Sequence, residues 1–179
     1  MEKTLDLNEL KFPIGPFVKK DDYSPEEMAS MLEIIKEAPK EYKNVTRNLS
    51  FEDLTRTYRP GSWNVKQLIH HVADIQLLHF FRMKKALTEP DYNEVTLINM
   101  DGWVNTADGN SEQIDDSILV LESLTKRYVL LIQSLKDSDL KIEYFHPVRK
   151  FTVNQAQAGA MSAWHLQHHL AHIKLAVNI

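Results

Sequence analysis

The chain has 179 residues, a formal net charge of −4, 43% hydrophobic and 26% charged residues, and no cysteine. Those values are ordinary for a globular protein, and the length suits one domain, 1–179, able to bury a core without a disulfide or metal staple. They exclude disulfides, cysteine-ligated zinc and a cysteine nucleophile. With no basic block there is no sign of a nucleic-acid partner, and no apolar run approaches the ~20 residues that cross a membrane. The opening MEKTLDLNELKFP has no apolar segment of the secretory kind, so the expected location is the cytoplasm.

Residues 1–23 read as an irregular, extended arm, because Pro13, Gly15 and Pro16 break any helix. The run SPEE then supplies a helix start: Ser24 as cap, Pro25 in the first turn and Glu27 closing a capping box. Met28, Met31, Leu32 and Ile35 follow at helical spacing, which predicts a first long helix over 25–46 with a break near Pro39. SFED at Ser50–Asp53 is a second, short start, and TYRPGSW is a connector. A second long helix runs from near Trp63 to Thr88, ahead of Pro90. Residues 89–112 form a long connection rich in Asp, Asn and Gly, and long connections in small domains are often functional.

A third long helix is predicted over 113–136, with Ile114, Ile118, Leu121, Leu124, Tyr128, Leu131 and Leu135 on one stripe. Residues 137–151, including FHPVRKF, form another connector with a short extended excursion. Thr152 and Gln155 match a capping box, and a fourth long helix runs from there to the end. The few glycines and scarce β-alternation argue against an all-β fold. The expected class is therefore all-α, a four-helix bundle with long connections.

Half of the chain's 8 histidines fall in the run WHLQHHLAH, at His165, His168, His169 and His172. On a wheel of about 100° per residue with His165 at zero, His169 lies near +40°, His172 near −20° and His168 near −60°. All four share one arc, opposite Gln167, Lys174 and Asn178, so the stripe points into the bundle. Packed neutral imidazoles need acceptors for their N–H groups, and charged ones repel; a bound cation resolves both. Pairs at i and i+4 can reach one ion, and here they are His165 with His169 or His168 with His172. The wheel does not separate the two.

On the second long helix His71 aligns with Ile75 and Leu78, opposite Lys66 and Lys84, and faces inward. His70 points about 100° away, toward Leu77 and Phe81. One histidine from this helix and two from the last can meet in the core. Three protein nitrogens with an open position is the pattern of a catalytic rather than a closed structural zinc site. Asp74, one turn on, is a candidate acceptor for a ligand N–H or an extra ligand. His79 reads as a surface or partly buried helix residue, and His146 as a residue near the mouth of the site. Trp103 and Tyr58 read as packing residues and Arg149 as a solvated charge, although each could shape a pocket.

The segments YRPGSWNVKQLIHHVAD and AWHLQHHLAHI, with the FPIGPF arm, the ALTEP ending and the HP connector, resemble the DinB-like superfamily, in particular its YfiT-like branch of metal-dependent hydrolases. The likeness is collinear over nearly the whole chain. It implies a four-helix bundle holding one divalent metal per chain, nickel or zinc. By the family pattern the ligands are His71, from the H-x-x-D that ends at Asp74, and the pair His165 and His169. His168 and His172 then become supporting neighbours, together with Asp74. The branch is also similar to thiol S-transferases that use bacillithiol or a related small thiol, and it commonly forms homodimers.

The leading expectation is therefore a metal-dependent thiol S-transferase whose partners are a low-molecular-weight thiol and an electrophile. The sulfur would arrive with the cosubstrate, since the chain has none in cysteine. The alternatives are a hydrolase that uses metal-bound water and a metal-binding module without catalysis.

Overall fold

The structure, a computed structural model, describes residues 6–179, and side-chain caps start three of its four long helices. The first five residues of the expected arm lie outside the described residues. In chain order the elements are α1 (Leu7–Lys11), α2 (Pro25–Thr46), α3 (Phe51–Thr55), α4 (Val65–Thr88), α5 (Met100–Val104), α6 (Asp115–Gln133), α7 (Asp137–Leu140), β1 (Glu143–His146), β2 (Phe151–Asn154) and α8 (Gln155–Val177). Ser24, Asn64 and Asn154 cap α2, α4 and α8, each with a reciprocal Glu or Gln three residues on. Such boxes satisfy backbone N–H groups that the first turn leaves free. The α6 start lacks a side-chain cap but carries Asp115 and Asp116 in its first turn, where the helix dipole favours negative charge.

The fold is an all-α four-helix bundle with one small hairpin. Helix α2 packs against α8 and α6, and α4 packs against α6 and α8. The bundle thus places α2 diagonally from α4. Ile35 and Tyr42 of α2, Leu68, Ile69 and Met83 of α4, Leu121 and Tyr128 of α6, and Leu166 and Ile173 of α8 fill the centre and are almost fully buried. The Tyr42 hydroxyl donates to the Leu166 carbonyl at 2.8 Å, which keys α2 to the histidine-bearing part of α8. The first half of α8 buries Ala158, Gly159, Ala160, Ser162 and Ala163. These small side chains let its neighbours approach closely; Gly159 leaves room for the Ile132 methyl.

Four local expectations change. Pro39 does not break α2, because its ring is buried in a helix packed on two neighbours, and it removes only one N–H donor. The arm is not wholly irregular: Asp6 caps the short α1. The long connection 89–112 contains α5 and runs beside the hairpin, where Val95 N donates to Phe145 O at 2.9 Å. The start of α8 lies two residues later than Thr152 and Gln155 suggest. Thr152 pairs with Phe145 in the β1–β2 ladder, so the helix cannot begin until Asn154. Gln155 instead turns its amide inward and donates to Ile142 O at 2.8 Å. The expected extended excursion is this antiparallel hairpin.

Replacing Asn154 by Ala should cost about 1 kcal/mol of stability, while Thr152→Ala should cost clearly less. Urea unfolding of both variants checks this; an equal or reversed ranking would put the cap at Thr152.

Candidate metal centre

The Asn64–Gln67 cap fixes the start of α4, so His70 and His71 emerge in its second turn. His71 meets α8 at His165 and His169. The facing nitrogens, His71 Nε2 and His165 Nε2, are 3.1 Å apart. Ring centroids are separated by 5.1 Å for His71–His165, 4.9 Å for His71–His169 and 4.5 Å for His165–His169. One nitrogen from each ring lies within 4.8 Å of the other two. In a tetrahedral zinc site with Zn–N near 2.0–2.1 Å, ligand nitrogens stand about 3.3 Å apart. The three imidazoles therefore fit one small divalent ion.

Burial keeps these rings neutral, as metal ligation requires. It lowers His71 to about 4. It also holds His165 and His169 well below the ordinary histidine range, with the neighbouring imidazoles adding to the effect. Trp63 covers the pair from α4's entry, its ring 4.6 Å from His71 and 6.5 Å from His169. Its indole N–H donates to Asp101 Oδ1 at 3.2 Å, tying it to α5. Of the three, His165 alone keeps partial exposure, toward a pocket of about 410 Å³ that it lines.

His168, His169 and His172 form a second close group, all on α8. His172 has both nitrogens engaged there. Its Nε2 donates to the Lys11 carbonyl at 3.2 Å, and its Nδ1 lies 3.4 Å from His169 Nδ1. A neutral His172 that donates through Nε2 accepts through Nδ1. His169 then donates through Nδ1, which leaves its Nε2 lone pair free. The Lys11 carbonyl thereby sets the tautomer of His169 through His172, the arrangement by which an outer partner orients a metal-binding imidazole. Tyr58 stacks on His172 at 3.8 Å and Trp164 on His168 at 4.3 Å. His168 Nδ1 is buried without a hydrogen-bond partner among the described residues.

The remaining candidates sort by position. His70 turns to α6 rather than toward Leu77 and Phe81, which are exposed. Its Nδ1 pairs with Ser117 Oγ and its Nε2 with Ser111 O, both at 2.8 Å, so it has no free nitrogen. Asp74 is half-buried in neither imidazole group. Burial and then Asp108 raise its carboxyl. His79 is buried more fully than the expected surface or partly buried position, because α4 carries it on the inward stripe with Ile75 and Leu78. Its ring is 6.1 Å from His165. His146 and Arg149 come from the hairpin to the pocket that His165 lines. Trp103 keeps about a third of its surface exposed, at 37%, on α5.

Arg82 and Trp63 were missed in the sequence. Arg82 follows His71, Ile75, Leu78 and His79 on one helical stripe, and an arginine on an inward stripe was the available signal.

The family model of the DinB superfamily matches residues 34–173. The chain belongs to the DinB superfamily. A Bacillus pumilus relative is 34% identical over 167 residues, covering 93% of this chain and 94% of its own. A Bacillus licheniformis relative is 33% identical over 168 residues, covering 94% and 95%. Both bear the name "putative metal-dependent hydrolase". Among solved structures, YfiT from Bacillus subtilis superposes with a TM-score of 0.90 at 27% identity, over 95% of this chain and 97% of its own. It is described as "a probable metal-dependent hydrolase with an unusual four-helix bundle topology". The mycothiol-dependent maleylpyruvate isomerase shares the fold at a TM-score of 0.65 and 15% identity, and this chain spans 60% of its length.

Acid should destabilise the metal-free protein in a defined window. His71 near 4 and His79 near 3 are depressed by burial, whereas unfolded histidine titrates near 6.5. Below about pH 6.5 the unfolded chain takes up protons that the folded chain refuses. Stability should be level above that pH and fall as pH drops toward 4, by about 1.4 kcal/mol per pH unit for each of these two residues. Urea unfolding of chelator-treated protein between pH 4 and 7.5 checks it; a flat profile would mean the imidazoles are not buried neutral.

Proposed function

We propose that this protein is a metal-dependent enzyme that joins a low-molecular-weight thiol to an electrophile, with one divalent ion, nickel or zinc, held by His71, His165 and His169. The observation that supports it most is the convergence of three neutral imidazole nitrogens within 4.8 Å beside a pocket. Bound there, a divalent ion lowers the pKa of a coordinated thiol, giving a thiolate near neutral pH. His172 and the Lys11 carbonyl hold His169 in its ligating tautomer. Trp63 shields the trio on one side, so that access is from the side of His165. The chain has no cysteine, so a sulfur nucleophile has to come from a small molecule.

A second reading keeps the same three ligands and puts water in the place of the thiol, giving a hydrolase. The names borne by the Bacillus relatives favour it.

The readings part on one assay. Metal-loaded protein is incubated with an aromatic electrophile, with and without bacillithiol; the proposal expects turnover only with the thiol. Turnover that ignores the thiol supports the hydrolase. No turnover across substrates in a protein that holds its metal makes it a binding module. His165→Ala should weaken metal binding by at least about 100-fold, and His172→Ala by about 10-fold, measured by competition with a chromophoric chelator. Full metal retention in His165→Ala would refute the ligand set.

A further inference from the structure

The pocket that His165 lines is positively charged in an otherwise acidic protein. Arg82, from α4, and Arg149, from the turn between β1 and β2, both face it, and no aspartate or glutamate among the described residues lines it. The whole chain carries a net charge of −4, so the sign here is local. Arg82 is fixed: its Nε and Nη2 donate to Thr96 O at 3.0 and 2.6 Å. Nη1 has no hydrogen-bond partner among the described residues. The Arg149 guanidinium has no hydrogen-bond or ion-pair partner among the described residues. The walls are apolar, formed by Ile75, Leu78, Leu97, Met100, Val148 and Met161. Leu97, Met100 and Val148 are exposed there to the extent of 44%, 50% and 72%.

Two unneutralised guanidiniums in one cleft repel each other and focus a positive potential on whatever enters. Burial lowers both from the usual arginine range, and Arg149 adds a smaller lowering effect on Arg82. His146, on the same wall, is lowered to about 4 by burial and then by Arg149 and Arg82. The pocket therefore offers no third cation near neutral pH, only two forks of N–H donors. A planar guanidinium matches a carboxylate through paired hydrogen bonds. The volume, about 410 Å³, lies in the range of small-molecule sites.

We infer that this pocket binds a small organic acid, its carboxylate between Arg82 and Arg149 and its apolar or aromatic body along the Ile75–Leu78–Met161 wall, so that the rest of the molecule lies at His165. The inference rests on the proposed function for the role of that acid, since His165 belongs to both the pocket and the imidazole trio. The acid could be the thiol itself or the electrophile, and both present the same carboxylate to the arginines.

The first experiment needs no metal, so its outcome is separate from that of the proposed function. Benzylsuccinate is titrated calorimetrically into chelator-treated wild-type protein, Arg149→Gln and Arg149→Lys, with benzylsuccinamide as the uncharged control. Arg149 lies on an exposed turn, and equal thermal melts will show that the variants fold. The pocket predicts binding of the acid but not the amide. It also predicts at least a 10-fold weaker Kd in Arg149→Gln and partial recovery in Arg149→Lys. Equal Kd values for wild type and Arg149→Gln, or for acid and amide, would overturn it. So would inorganic phosphate displacing benzylsuccinate at lower concentration than succinate does. Mercaptosuccinate and succinate are then compared with zinc-loaded protein. Tighter binding of the thiol acid, lost again in Arg149→Gln, makes the thiol the carrier of the carboxylate. Equal binding of the two, still lost in Arg149→Gln, makes the electrophile the carrier.

Discussion

Everything at the centre of this protein depends on packing α8 against α4 with neutral imidazoles in the seam. An imidazole taken out of water resists protonation and must still place its one N–H on an acceptor. The fold meets that demand unevenly. His70 is satisfied by Ser117 and Ser111, and His172 by Lys11 and His169. His71 and His165 face each other across 3.1 Å, an arrangement that two neutral rings satisfy only if one donates to the other. The apolar residues around them, from Ile35 and Tyr42 on α2 to Leu121 and Tyr128 on α6, are buried without reference to any ion. The bundle thus holds the histidines together; the histidines do not hold the bundle.

The four long helices were legible because their signals are local. Ser24 and Glu27 announce a start within four positions, and apolar spacing carries the rest. The inward stripe of α8 was legible for the same reason, as was the inward direction of His71. What stayed hidden depends on partners far along the chain. Lys11 is 161 residues from His172, and no local pattern indicates that its carbonyl reaches that ring. The pairing of His165 with His169, rather than His168 with His172, was open on the wheel and followed only from family likeness. In the structure His172 has both nitrogens engaged, one by the Lys11 carbonyl and one by His169. The start of α8 was misplaced because Thr152–Gln155 and Asn154–Gln157 fit the same cap pattern, and only the hairpin ladder decides between them.

His79 and Arg82 show a different kind of illegibility. Each looks like a polar residue on a helix of mixed character, and the sequence does not say which edge of the inward stripe meets a cavity. That depends on where β1, β2 and the 89–112 connection lie, and these are held by backbone bonds such as Phe145 N to Asn93 O at 2.8 Å. Loop placement of this sort has no period to read.

The hairpin also separates the part of the molecule built on long helices from a part carried on a turn. The imidazole trio stands on two long helices whose spacing is set by the core. By contrast, Val148 and Arg149 stand on the turn joining Phe151 back to His146, which Lys150 closes with a φ of 56°. That turn lies outside α4 and α8, which pack on each other and on α6 and α2. On the proposed reading, the choice of reactant is carried by a four-residue turn, while the three imidazole nitrogens stand on the helices.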